Sequence, residues 1–287
     1  MPAVRQDALV TVLVGGHESA HGADLIPLLD VLPGAVITPS GRSLHDAVTR
    51  LLADDAGPVM VLPMTWGRDP VMVAETAKTL RWSAAEGGVG RIALCAEFGT
   101  ADHLIAWLRR AAADTARQRP GAGLIIAAPA SNPFDDAELH RIAHLVRTYG
   151  TGIHVEVACI GDNDDLARAI DRSRLLGTDE VVVVPAGFAR TAPAGLPADH
   201  ASFFGPLISE QALLDVVRRR VAAARHELSH GRDGIAAGLV ADHGHGYAHS
   251  HGFEDDGSGH HPHHHGHAHE TPDNGNPFDD EVLTSPH

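Results

Sequence analysis

With 287 residues, 44% of them apolar, the chain is long enough for one large or two ordinary cores; only 4% are aromatic, and the abundant Ala, Val and Leu suit helices packed on a Val-rich sheet better than a β-sandwich. A formal net charge of −15 argues against nucleic acid, which needs a basic footprint, and favours attraction of cations. Two cysteines far apart, Cys95 and Cys159, leave no disulfide framework and no Cys-x-x-Cys metal motif.

The first buried-looking run, Leu9 to Val14, is short, β-branched and uncharged, and Gly15-Gly16 stops it. His17 therefore falls at the carboxyl end of a strand, the edge at which open parallel sheets bind ligands. Glu18 and His21 follow closely. A helix is predicted over Ala23 to Leu32 despite Pro27, a strand over Ala35 to Thr38, and a helix from an N-cap at Ser43 to about Ala53. Strand Val59 to Met64, loop Thr65 to Pro70, helix Val71 to Ala85, strand Arg91 to Ala96 and helix Ala101 to Arg117 complete a first lobe.

Residues 119 to 123 read as a linker, after which the pattern restarts. Strand Gly123 to Ala130, helix Asp135 to Tyr149, strand His154 to Gly161, helix Asp164 to Leu176 and strand Glu180 to Gly187 follow in turn. A loop, a short strand near Ser202 to Pro206 and a long helix to about Glu227 close the second lobe. The halves match element by element: Pro63 follows VMVL as Pro185 follows VVVV, and Phe98-Gly99 and Phe204-Gly205 each precede a last helix. A duplicated four-strand unit explains this, giving an α/β fold with lobes at 1–118 and 119–230, each a mainly parallel sheet flanked by helices, facing one another across a cleft.

Residues 231–287 are expected to be a disordered tail, and from Asp242 apolar periodicity all but disappears. Eleven of the 22 histidines lie between residues 243 and 269: His243, His245, His249, His251, His260, His261, His263, His264, His265, His267 and His269. They alternate with Gly, Ala, Ser and Pro among acidic residues, unlike a uniform purification tag, and imidazole suits Co, Ni, Zn and Cu ions. The expected role is collection of metal. The amino terminus has too brief an apolar run for a signal peptide, and no stretch approaches the roughly 20 apolar residues of a membrane span, so a soluble, cytoplasmic protein is expected.

The first strand ending in Gly-His, the SLHDAVTRLL helix, the VMVLPM strand and the AEFGTADHL segment together resemble the sirohydrochlorin cobaltochelatase and ferrochelatase family, class II chelatases that insert a divalent metal into a tetrapyrrole. The resemblance covers about Ala8 to Glu227 and is to the long, two-lobed form, some members of which carry a His-rich tail. It implies a lyase acting in cobalamin or siroheme biosynthesis, with sirohydrochlorin and Co²⁺, Fe²⁺ or Ni²⁺ as substrates and no permanently bound cofactor. A monomer is expected, with no nucleic-acid partner on the ground of charge and no membrane partner on the ground of hydropathy.

The chain departs from that family where a second active-site histidine is expected, since Gly67-Arg68-Asp69-Pro70-Val71-Met72 stands in the loop after the third strand. Insertion releases two pyrrole protons while the cation sheds water, so a base and a weak transient ligand are needed. His17 is the candidate for both tasks. Asp69, Met72 or Glu75 would replace the missing partner, with Asp69 or Glu75 as the opposing carboxylate and Arg68 as a clamp on the substrate's carboxylates. Glu75 is equally explained as a first-turn helix acid, and Arg68 as the partner of Asp69. His45, His103, His140, His144 and His154 read as helix-face or surface residues. The second lobe has no histidine after its first strand and reads as a non-catalytic half. The alternative function is a metal chaperone or store that kept the fold without turnover.

Overall fold

The computed structural model describes residues 10–54, 57–148 and 152–244. The His-rich stretch lies outside them, apart from the backbone at His243. Strands β1 (Val10–Gly15), β2 (Val36–Pro39), β3 (Val59–Met64) and β4 (Ile92–Leu94) form one sheet in the order β2-β1-β3-β4. Strands β5 (Gly123–Pro129), β6 (Val155–Ile160), β7 (Val181–Pro185) and β8 (Ala201–Phe203) repeat that order as β6-β5-β7-β8. Every pairing is parallel, and the duplication extends to register: Pro63 pairs with Val14 as Pro185 pairs with Ala127.

The seven α-helices of the described residues are α1 (Arg42–Ala53), α2 (Pro70–Ser83), α3 (Ala101–Gln118), α4 (Pro133–Thr148), α5 (Asn163–Leu175), α6 (Glu210–Ser229) and α7 (Ile235–Gly238). The period of two along each strand decides which face each side chain serves. Leu13, Met60, Leu62 and Met64 of the first sheet point to the same core as Leu124, Ile126, Val182 and Val184 of the second. The alternate residues Val12, Val14, Val59 and Val61 pack outward with Leu44 of α1 and Leu80 of α2. Ile125, Val181 and Val183 do the same with Leu166 and Ile170 of α5.

Between the sheets lie α3, α4 and α6, and the helices cross halves: α3 touches β5 and β7, while α6 touches β3 and β4. The sequence repeat therefore divides the sheets but not the core, and the described residues form one compact unit.

Several boundaries differ from the sequence expectation for physical reasons. Ser43 lies inside α1, whose N-cap is Gly41. The helix predicted over Ala23–Leu32 is a 3₁₀ segment at His17–Asp30, broken at Ser19–Gly22, where Ala20 and His21 take positive φ. The expected linker after Gln118 is tied down: Arg119 ion-pairs with Glu180 and bonds Ser202. Folded structure also runs beyond residue 231. Leu94 of β4 donates to the Asp233 carbonyl at 2.8 Å, and Ile235 of α7 is buried against the outer face of the first sheet. The stretch from 231 to 244 thus belongs to the body, not to the tail.

Candidate functional site

Both first strands, β1 and β5, end at the same place, and the polar residues gathered there come from four loops. Gly16 allows the approach. A Cβ on it would stand 1.9 Å from Oδ2 of Asp69, so only glycine lets the loop after β1 lie against the start of α2. Asp69 caps α2 by accepting from the Met72 amide at 3.1 Å, and its other oxygen receives the His17 amide at 3.2 Å. That same oxygen lies 3.0 Å from Nδ1 of the His17 ring. The second half supplies a further carboxylate, Asp135 at the start of α4, with Oδ2 at 3.8 Å from the same Nδ1. Ser131 Oγ at 2.8 Å and Asn132 Nδ2 at 2.6 Å both donate to that Asp135 oxygen.

The imidazole is therefore committed through Nδ1 and uncommitted through Nε2, which is shielded from solvent and has no hydrogen-bond partner. A carboxylate on one ring nitrogen fixes the tautomer and raises the basicity of the other, as for metal-ligating histidines. Burial pushes the His17 value down, but the hydrogen bond and charge of Asp69, with the charge of Glu18, carry it above the ordinary 6.5. Burial likewise opposes ionisation of Asp69. The His17 ring and the amides of Met72 and His17 outweigh it and hold Asp69 below the ordinary carboxylate value.

Beside this pair is a second buried group with a different task. Glu18 accepts from Thr65 Oγ1 at 2.6 Å, the Trp66 amide at 2.8 Å and the Arg68 amide at 2.9 Å, so one carboxylate organises the whole loop after β3. Burial raises its proton affinity against the opposing pull of Arg68 and Thr65. Arg68 is 1% exposed and reaches across the halves to the Ala186 carbonyl at 3.2 Å, leaving Nε and its other terminal nitrogen without hydrogen bonds. The Phe188 amide returns a bond to the Glu18 carbonyl at 2.9 Å, and a Cβ on Gly187 would meet that carbonyl at 2.4 Å. Trp66, Phe98 and Phe188 pack together beside this seam, with centroids 4.9–5.8 Å apart. Where the sequence suggests an open cleft, the loops after β1 and β7 are in contact.

Of the residues singled out from sequence, His17 and Asp69 are brought together. Arg68 lies next to them as a buried pin between halves, in place of the expected surface clamp, because Glu18 and the Ala186 carbonyl hold it inside. Glu75 is exposed and bonds Ser40 at 3.0 Å, so it stands apart from the buried pair, and Met72 serves the core. His45 meets Ser83 at 3.3 Å and His103 closes the cap of α3 with Thr100. His140 and His144 line a cavity of about 340 Å³ on the second sheet's edge, and His154 lies near Glu156. The tail histidines His245 to His269 lie outside the described residues, as does the side chain of His243.

Sequence reasoning missed Asp135 and the organising role of Glu18. A signal for Asp135 existed: aligning β5 with β1 places residues 130–135 at the same sheet edge as His17. Among the described residues no group of three or more His, Cys, Asp or Glu side chains is arranged to hold a metal ion. Two cavities, of about 610 and 590 Å³, open beside α6, and His17 lines neither. Among the same residues no helix is long and apolar enough to cross a membrane.

No family model matches this chain, and no curated protein does. Solved structures do. The cobalt complex of the sirohydrochlorin chelatase SirB from Bacillus subtilis subspecies spizizenii is similar over 76% of this chain and 95% of its own, at 12% identity and TM-score 0.43. SirB from Bacillus subtilis with Fe³⁺ is similar over 78% and 97%, at 15% identity and TM-score 0.45. A multi-domain protein from Deinococcus radiodurans with structural similarity to chelatases shares 15% identity over 75% of this chain and 55% of its own, at TM-score 0.38. At these identities no residue role passes from them to this chain.

Proposed function

We propose that this chain inserts a divalent metal ion into a sirohydrochlorin-type tetrapyrrole, with Co²⁺, Fe²⁺ or Ni²⁺ as the metal substrate. The observation that carries the reading is His17 at the carboxyl edge of β1, anchored through Nδ1 on Asp69, with a buried Nε2 that has no hydrogen-bond partner. The sequence resemblance to class II chelatases supports the same reading. Nε2 receives the incoming ion as a weak single ligand. When the ion passes to the macrocycle, the emptied Nε2 takes one of the two pyrrole protons, and Asp69 stabilises the imidazolium so formed. Asp135 is the nearest candidate for the second proton, in the place sequence reasoning gave to Glu75. The His-rich stretch from His243 to His269 gathers the metal.

A second reading, a metal-holding protein without turnover, is favoured by one observation. The Gly187–Phe188 loop closes on the Glu18 backbone, so a planar macrocycle reaches Nε2 only if the loops part. Absorbance separates the two. Sirohydrochlorin and Co²⁺ should give the metallated spectrum faster with protein than without. His17→Ala should cost a factor of about 10² or more, the usual worth of a general base, while far-UV circular dichroism stays unchanged. A rate equal to the uncatalysed control rejects the enzyme, and full activity in folded His17→Ala rejects His17.

A further inference from the structure

At the carboxyl end of α6, the longest helix among the described residues, two histidines stand one turn apart. His226 and His230 are both exposed, and their ring centroids are 4.7 Å apart with the planes at 76°. Positions i and i+4 are neighbours on a helix surface. Metal–imidazole bonds of about 2.0–2.1 Å place the centroids of two rings sharing one ion roughly 4.5–5.2 Å apart in cis-octahedral or tetrahedral arrangement. The observed separation lies inside that interval, so the two rings are spaced as a pair sharing one ion would be.

The charges around the pair suit a cation. His226 lies in the last turn of α6 and His230 is its C-cap, where unsatisfied carbonyls make the negative pole of the helix. Glu227 falls between them in sequence, and its carboxylate is lowered in proton affinity first by Arg232, with which it pairs, and then by the charges of both histidines. Arg232 offsets part of that negative charge without occupying either ring. We propose that His226 and His230 form a surface dihistidine site for one divalent transition-metal ion of the imidazole-preferring class, with water completing its shell. Affinity follows the order Co²⁺ below Ni²⁺ below Cu²⁺. The site is separate from His17, uses no residue of that cluster and does not depend on turnover. It stands 13 residues before the first histidine of the His-rich stretch, so it gives the folded body a metal position of its own.

Residue-specific labelling tests this in the intact chain, where it reads each histidine separately. The protein is treated with diethyl pyrocarbonate with and without excess Ni²⁺, and each histidine's modification is read by peptide mass spectrometry. Ni²⁺ should protect His226 and His230 together by fivefold or more, while His200, an exposed histidine without a helical partner, keeps its labelling rate. His226→Ala should abolish protection of His230, and His230→Ala that of His226. In a full-length chain with the eleven histidines from His243 to His269 changed to serine, Ni²⁺ titration should show a site, additional to that at His17, that His226→Ala weakens at least tenfold. Equal labelling of both residues with and without Ni²⁺, or protection of one that survives loss of the other, overturns the proposal.

Discussion

At the residue scale, His17 and Asp69 each set the other's charge. His17 is held above the ordinary imidazole value and Asp69 below the ordinary carboxylate value, against a burial cost that opposes both. The sign of the linkage follows. A raised imidazole adds stability that is complete below pH 6.5 and is lost as pH rises through the folded value. A depressed carboxylate adds stability that is complete above pH 3.8 and is lost as pH falls through its folded value. The pair therefore contributes most between those two ordinary values, with Glu18, Asp135 and Arg68 as the other charges facing the ring. Asp69→Asn removes the larger favourable influence and leaves burial in place, so the His17 value should drop below 6.5. A titration of the ring by NMR reads this directly, and an unchanged midpoint in the variant would mean that Asp69 does not govern His17.

At the element scale, the strands and most helices were legible because both sheets are covered on both faces, and such strands read as continuous Val, Ile and Leu runs. VMVLPM at Val59–Met64 matches β3 to the residue. The seam was not legible, since it depends on which loops meet. No local pattern states that Glu18 will accept three donors from the loop after β3, or that Arg68 will reach Ala186 in the other half. Only the duplication hinted that residues after β5 would join His17. This seam supplies its own prediction. Glu18 and Arg68 are both buried and feel each other's charge without a direct side-chain contact, so removing one strands the other's charge in a site of low polarity and costs stability. Arg68→Met should destabilise strongly by urea denaturation, and Glu18→Gln added to it should recover part of the loss. Additive losses would show that Glu18 acts through its loop hydrogen bonds alone and not through the charge of Arg68.

At the scale of the whole molecule, the repeat in the sequence and the unit of folding are different objects. Leu13, Met60, Leu62 and Met64 face a core that also contains α6, and Leu104 and Leu108 of α3 face one that contains the second sheet. Each such side chain contributes roughly 1.5–3 kcal/mol when buried. Uncovering the four on β1 and β3 thus costs about 6–12 kcal/mol, comparable with the net stability of an entire domain, about 5–15 kcal/mol. Residues 1–118 made alone should therefore remain unfolded, although they hold a complete four-stranded sheet, because α6 is missing from its inner face. Residues 119–287 should fare no better without α3, and mixing the two fragments should restore native circular dichroism. The same dependence reaches the site: His17 and Asp69 come from one fragment and Asp135 from the other, so the imidazole should titrate as in the intact chain only in the reassembled pair. A folded, dispersed NMR spectrum from residues 1–118 by themselves would show that the first sheet does not need the second half.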